Sequence, residues 1–172
     1  GCAMVLRGQK SATKDVDMVL NSSRGLKRLV DSLKSLGFRE VVRLPEDYQQ
    51  LGASAVMRDG DGFQIDLFYR TVCRGLEITY GMEDRVKLFG SFGDIHVYLM
   101  APEDIFLFKG VTERETDLDD MRILAESGIN WSIIKEECPL QEKRRIWEDL
   151  LANKILELRE IYGIDSPIIK DL

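Results

Sequence analysis

A chain of 172 residues is long enough for one compact catalytic domain with a helical appendage and too short for two full domains. Its 44% hydrophobic and 31% charged residues are ordinary for a globular protein, and no stretch nears the roughly 18 apolar residues that span a bilayer, so a cytoplasmic protein with no membrane partner is expected. With 30 acidic and 24 basic residues the formal charge is −6, which argues against a broad cationic surface that holds nucleic acid by phosphate neutralisation alone.

In chain order, the apolar opening leads to Val16 to Leu20, a short Val- and Leu-rich run closed by Asn21-Ser22-Ser23 and therefore read as a buried strand. Leu26, Leu29, Val30, Leu33 and Leu36 then recur at helical spacing, with Ser22 or Ser23 as cap and Gly37 as stop. Ser54 to Arg58 and Phe63 to Tyr69 read as strands flanking the hairpin signal Asp59-Gly60-Asp61-Gly62, and Val86 to Phe89 and Ile95 to Met100 as two more. From Pro102, suited to a first helical position, the pattern is helical: Thr116 with Asp119 forms a capping box, and Asn130 caps a further helix. A last helix from about Leu140 to Tyr162 carries the stripe Trp147, Leu150, Leu151, Ile155, Leu158 and Ile161, with Gly163 as its stop. Strands first and helices later imply an α/β (α+β) unit over 1–100 with a helical C-terminal part over 101–172 packed on it.

The chemistry concentrates in carboxylates. Thr13-Lys14-Asp15-Val16-Asp17 sets two at i and i+2 where a strand begins, on one face and ~7 Å apart along the backbone. Mg²⁺ takes one or two protein carboxylates and completes its shell with water and phosphate, so this spacing suits a metal-bound triphosphate. Asp66 interrupts the apolar run Phe63 to Tyr69; alternation places it with Gln64 and Phe68, opposite Ile65, Leu67 and Tyr69. It is read either as an exposed group on an edge strand, or as a third metal ligand or a base for an attacking hydroxyl.

Gly1-Cys2-Ala3-Met4, then Gly8, then Thr13-Lys14-Asp15-Val16-Asp17 resembles the glycine motif and DxD of minimal nucleotidyltransferases of the DNA-polymerase-β-like superfamily, most nearly the abortive-infection toxin type and its uncharacterised bacterial and archaeal relatives. Ala101-Pro102-Glu103-Asp104-Ile105 through Lys109, followed by Arg114-Glu115-Thr116-Asp117-Leu118-Asp119-Asp120, is similar to the lysine helix and R-x-x-D-x-x-D signature of that family. The resemblance covers roughly residues 1–126. It implies a small mixed sheet of the nucleotidyltransferase type with flanking helices. The implied activity is Mg²⁺- or Mn²⁺-dependent transfer of a nucleoside monophosphate from a triphosphate such as ATP to an acceptor hydroxyl on RNA, protein or a small molecule. Asp15, Asp17 and Asp66 would be catalytic and metal-binding; Gly1, Cys2, Lys10, Thr13 and Lys109 would bind the nucleotide. An antitoxin or a second copy would dock through the C-terminal helices.

The chain departs from that pattern in lacking a second glycine before Gly1 and in having Ser11 where the family has arginine; Lys10 or Arg7 would supply the charge. The family's first strand is expected upstream of Gly1. Lys109 shares a helical face with Ile105 and Phe106, and either snorkels to solvent or reaches the triphosphate. Arg114 with Asp117 and Asp120 reads as a structural charge cluster at a helix start. His96 is a packing or surface residue; Cys2, Cys73 and Cys138, without CxxC pairing, indicate neither a zinc site nor a disulfide. The alternative to an enzyme is a noncatalytic nucleotide-binding or regulatory module of the same fold that acts through protein contacts.

Overall fold

A computed structural model describes residues 1–44, 49, 51–73, 75–112 and 114–172, the side chains of Glu115 and Arg144 excepted. The fold is mixed α+β, in two compact units, Gly1–Ile78 and Thr79–Leu172. The boundary therefore falls well before the expected residue 100. The reason is pairing: the strands at Lys87–Phe92 and Ile95–Leu99 hydrogen-bond to each other and, among the described residues, join no other strand.

The first unit begins with the short helix α1 (Cys2–Leu6), then β1 (Asp15–Leu20), α2 (Ser23–Ser35), β2 (Arg39–Glu40), β3 (Ala55–Arg58) and β4 (Gln64–Tyr69). The sheet order is β1-β4-β3-β2, with β1 parallel to β4 and the other pairs antiparallel. A two-stranded hairpin, β5 (Thr71–Val72) and β6 (Leu76–Glu77), follows. Helix α2 starts where the Ser22 hydroxyl accepts the Gly25 N–H at 3.0 Å, and the chain leaves it through Gly37 at φ 95°, a conformation costly for any residue with a Cβ. Its apolar stripe of Leu26, Leu29, Val30 and Leu33 packs on one sheet face against Val16, Met18 and Leu20 of β1, Met57 of β3, and Ile65 and Leu67 of β4.

The β3–β4 connection is the expected hairpin turn. Asp59 Oδ1 accepts the N–H groups of Asp61 at 3.0 Å and Phe63 at 2.8 Å, and Gly62 takes φ 89°. This closure sets the register in which Arg58 lies opposite Gln64 and Val56 opposite Asp66.

The second unit comprises α3 (Tyr80–Arg85), the hairpin β7 (Lys87–Phe92) and β8 (Ile95–Leu99), α4 (Pro102–Gly110), α5 (Glu115–Glu126), α6 (Trp131–Glu137), a 3-10 turn (Cys138–Leu140) and α7 (Arg144–Tyr162). Pro102 stands at the start of α4, the Asn130 side chain accepts the Ser132 N–H at 3.1 Å, and Gly163 ends α7 in the left-handed region. The capping box expected at Thr116 is not formed: α5 begins at Glu115, so Thr116 lies inside its first turn, and Arg114 holds the cap position without a side-chain cap bond. Helix α7 starts at Arg144, later than expected, because Leu140 belongs to the 3-10 turn Cys138–Leu140. On α7, Trp147, Leu151, Ile155 and Leu158 are buried as expected, whereas Ile161 is 63% exposed in the final turn. Among the described residues no helix is long and apolar enough to cross a membrane.

Candidate functional site

Because α2 occupies the face that carries Val16 and Met18, alternation turns Asp15 and Asp17 to the opposite face. The parallel register aligns Asp15 with Gln64 and Asp17 with Asp66, so all four side chains leave the same face of adjacent strands. Asp17 and Asp66 are neighbours across strands whose backbones lie about 4.8 Å apart. Asp66 is therefore not on the exposed face of an edge strand. Strand β4 is interior, between β1 and β3, and Asp66 is 1% exposed, whereas Asp17 is exposed and Asp15 half-buried.

A buried carboxylate requires hydrogen-bond donors. Gln64 Nε2 donates to Asp66 Oδ1 at 2.9 Å, and the Gln64 amide oxygen in turn accepts from Arg58 Nη2 across the β3–β4 pair. At Asp15 the Thr13 hydroxyl lies 3.0 Å from the backbone carbonyl and 3.2 Å from Oδ1, which ties the loop before β1 to the first carboxylate. Gly1 approaches this pair closely: a Cβ there would stand 2.6 Å from Thr13 Oγ1 and 3.6 Å from Asp15 Oδ1. Glycine at this position lets α1 begin beside the DxD segment. Cys2 opens α1, and Lys10, half-buried, lies in the loop that returns to β1.

Lys109 belongs to the second unit, and its side chain is buried there. Its ammonium donates to Asp117 Oδ1 at 2.6 Å and pairs with Asp120 Oδ2 at 2.6 Å, so it does not snorkel to solvent. Thr112 and Arg114 also donate to Asp117. Burial alone would raise the Asp117 carboxyl, but the Lys109 charge and the donated hydrogen bonds outweigh it and hold the group at about 2. Lys109 shows the mirror effect: burial pushes its ammonium down, and the two carboxylates carry it above its ordinary value. Arg114 has the structural role expected of it.

A second buried charge cluster, which sequence reasoning missed, joins Arg85 Nη2 to Asp104 Oδ1 and Glu137 Oε1, each at 2.6 Å, with the Thr79 hydroxyl donating to Glu137 Oε2. Burial pushes the Asp104 carboxyl above its ordinary range despite the guanidinium beside it. Sequence separation hid this group, since its members come from three helices and the N-cap of one of them, up to 58 positions apart.

His96 is exposed, with Nδ1 2.8 Å from Ser91 Oγ, and Cys2, Cys73 and Cys138 are free thiols. Among the described residues no three His, Cys, Asp or Glu side chains stand as a ready cage for a metal ion. A hard cation that draws most of its oxygen ligands from phosphate and water needs no such cage, and the aligned carboxylates suit that mode. No protein-family model and no curated protein matches this chain.

Proposed function

We propose that this chain is a metal-dependent nucleotidyltransferase of the minimal, DNA-polymerase-β-like type, which moves a nucleoside monophosphate from a nucleoside triphosphate to an acceptor hydroxyl. One observation carries the reading: Asp17 and Asp66 are register partners on adjacent parallel strands, with Asp15 two residues along on the same face. Three carboxylates on one face of two adjacent strands suit an in-line phosphoryl displacement. The small mixed sheet backed by α2 is compatible with the nucleotidyltransferase type.

In this reading Asp15 and Asp17 would hold Mg²⁺ or Mn²⁺ together with the triphosphate, and Asp66 would hold a second cation or take the acceptor's proton. The cation, when bound, would supply charge neutralisation at the phosphate oxygens. The acceptor oxygen forms its bond to the α-phosphorus as the bond to the bridging oxygen breaks, and pyrophosphate leaves with that electron pair. Gly1 and Cys2 backbone N–H groups, Thr13 and Lys10 would steady the phosphates. Lys109 already has two carboxylate partners, so the charge toward the phosphates falls to Lys10. The acceptor would be RNA, a protein or a small molecule, and an antitoxin or second copy would use the C-terminal helices.

The test is incubation with each α-labelled nucleoside triphosphate, Mg²⁺ and a mixture of cellular RNA and protein. Label in one acceptor class, absent with Asp17→Asn, is the expected result. Nucleotide binding with no transfer to any acceptor would assign the chain to the noncatalytic binding modules instead.

A further inference from the structure

Arg58, Gln64 and Asp66 form a line of hydrogen bonds across one sheet face, and its direction is fixed by chemistry. A guanidinium can only donate and a carboxylate can only accept, whereas the Gln64 amide does both. Arg58 Nη2 donates to Gln64 Oε1, so the amide nitrogen is the end that meets Asp66, 2.9 Å from Oδ1. The reversed amide would set N–H against guanidinium and C=O against carboxylate. Register places Gln64 between Arg58 on β3 and Asp15 on β1, within one strand repeat of both aspartates, yet its amide nitrogen reaches Asp66. The carboxylate is 1% exposed while Arg58 is exposed, so the relay carries the influence of a solvated cation to a buried acid.

We propose that Gln64 is a positioning residue that fixes the orientation of the Asp66 carboxylate, and that Arg58 locks Gln64 in the required amide orientation. This rests on the reading of Asp66 as a carboxylate that acts in nucleotidyl transfer. One carboxylate oxygen is retained by the protein, and the group is held in a single rotamer before substrate arrives. Preorganisation of this kind acts on the transition state more than on ground-state binding, so its loss lowers kcat with little change in KM. Arg58 acts at one remove and can be replaced by another donor, but not by an apolar side chain of similar length.

The experiment has two arms on the full chain. In the first, the Gln64 side-chain amide is followed by NMR without nucleotide. The wild type is expected to show one slowly exchanging, displaced ε-proton; Arg58→Met and Asp66→Asn should each increase its exchange at least about tenfold, the equivalent of about 1.4 kcal/mol, and Arg58→Lys should restore protection. In the second, Gln64→Met is expected to lower kcat about tenfold or more with nucleotide KM within about twofold, and Arg58→Met less so. The double variant should be no worse than Gln64→Met alone, because one relay is broken in both. An amide insensitive to Arg58→Met overturns the relay even if transfer is intact. Absence of transfer in the wild type with the amide coupling present overturns the nucleotidyltransferase reading and leaves the relay standing. Equal losses in kcat and affinity, or additive effects of the two variants, overturn the positioning role.

Discussion

A single hydroxyl at Thr13 joins the loop before β1 to the first carboxylate through Asp15 Oδ1 and the Asp15 carbonyl. Thr13→Val keeps the shape and removes that donor, so Asp15 loses its tether, and nucleotide affinity with Mg²⁺ is expected to fall by about 1 kcal/mol, several-fold in Kd. Equilibrium binding by calorimetry measures this, and an unchanged Kd would remove Thr13 from the site. The common face of Asp15 and Asp17 was legible because alternation with Val16 and Met18 leaves no other arrangement once one face is apolar. The placement of Asp66 with Gln64 and Phe68 followed from the same alternation. The burial of Asp66 was not legible, since it depends on β4 lying between β1 and β3, and strand order leaves no mark in a local pattern. The Arg58–Gln64 bond was hidden likewise: it requires the register across the turn.

Helices show two effects that run against local propensity. Gly110 lies in α4, where alanine would ordinarily stabilise by about 1 kcal/mol. A Cβ there would stand 2.4 Å from Leu151 Cδ1 and 3.3 Å from Met121 Cε, so overpacking against α7 and α5 wins. Gly110→Ala is therefore expected to destabilise the protein by about 1 to 3 kcal/mol in urea unfolding; a gain in stability would mean that α7 can move aside. The Lys109 cluster governs acid behaviour. Asp117 is held at about 2 when folded against an ordinary 3.8, so its contribution is complete above the ordinary value and is lost as pH falls toward 2. Asp104 acts with the opposite sign: its raised value favours the fold at low pH, and that benefit is lost as pH rises through it. Asp117→Asn should lower stability near neutrality by about 3 kcal/mol, and flatten the acid side of the melting curve. An unaltered acid limb would contradict the assignment. The helix starts at Ser22, Pro102 and Asn130 were legible because each depends on a local feature, a cap bond at Ser22 and Asn130 and a preset φ at Pro102; the Thr116 box failed because α5 begins at Glu115 and takes Thr116 into its first turn, while Asp119 accepts from the Tyr162 hydroxyl.

At the scale of the whole chain, the order of strands before helices indicated a mixed fold with a helical second half, and that is what is observed. The division into compact units falls at Ile78 and not at residue 100, because β7 and β8 pair with each other. The aligned carboxylates all lie in the first unit. A nucleoside triphosphate with Mg²⁺ is expected to raise the melting temperature more than either does alone, since binding to the native state stabilises by mass action; equal shifts without metal would point to another site. The most direct measurement compares Asp66→Asn with the wild type, both shown to be folded by circular dichroism, in equilibrium nucleotide binding and in single-turnover transfer to the acceptor identified with labelled nucleotides. The expected result is that transfer collapses by about a hundredfold or more while nucleotide affinity changes little, and that Asp17→Asn impairs both. Transfer by Asp66→Asn at the wild-type rate would contradict it.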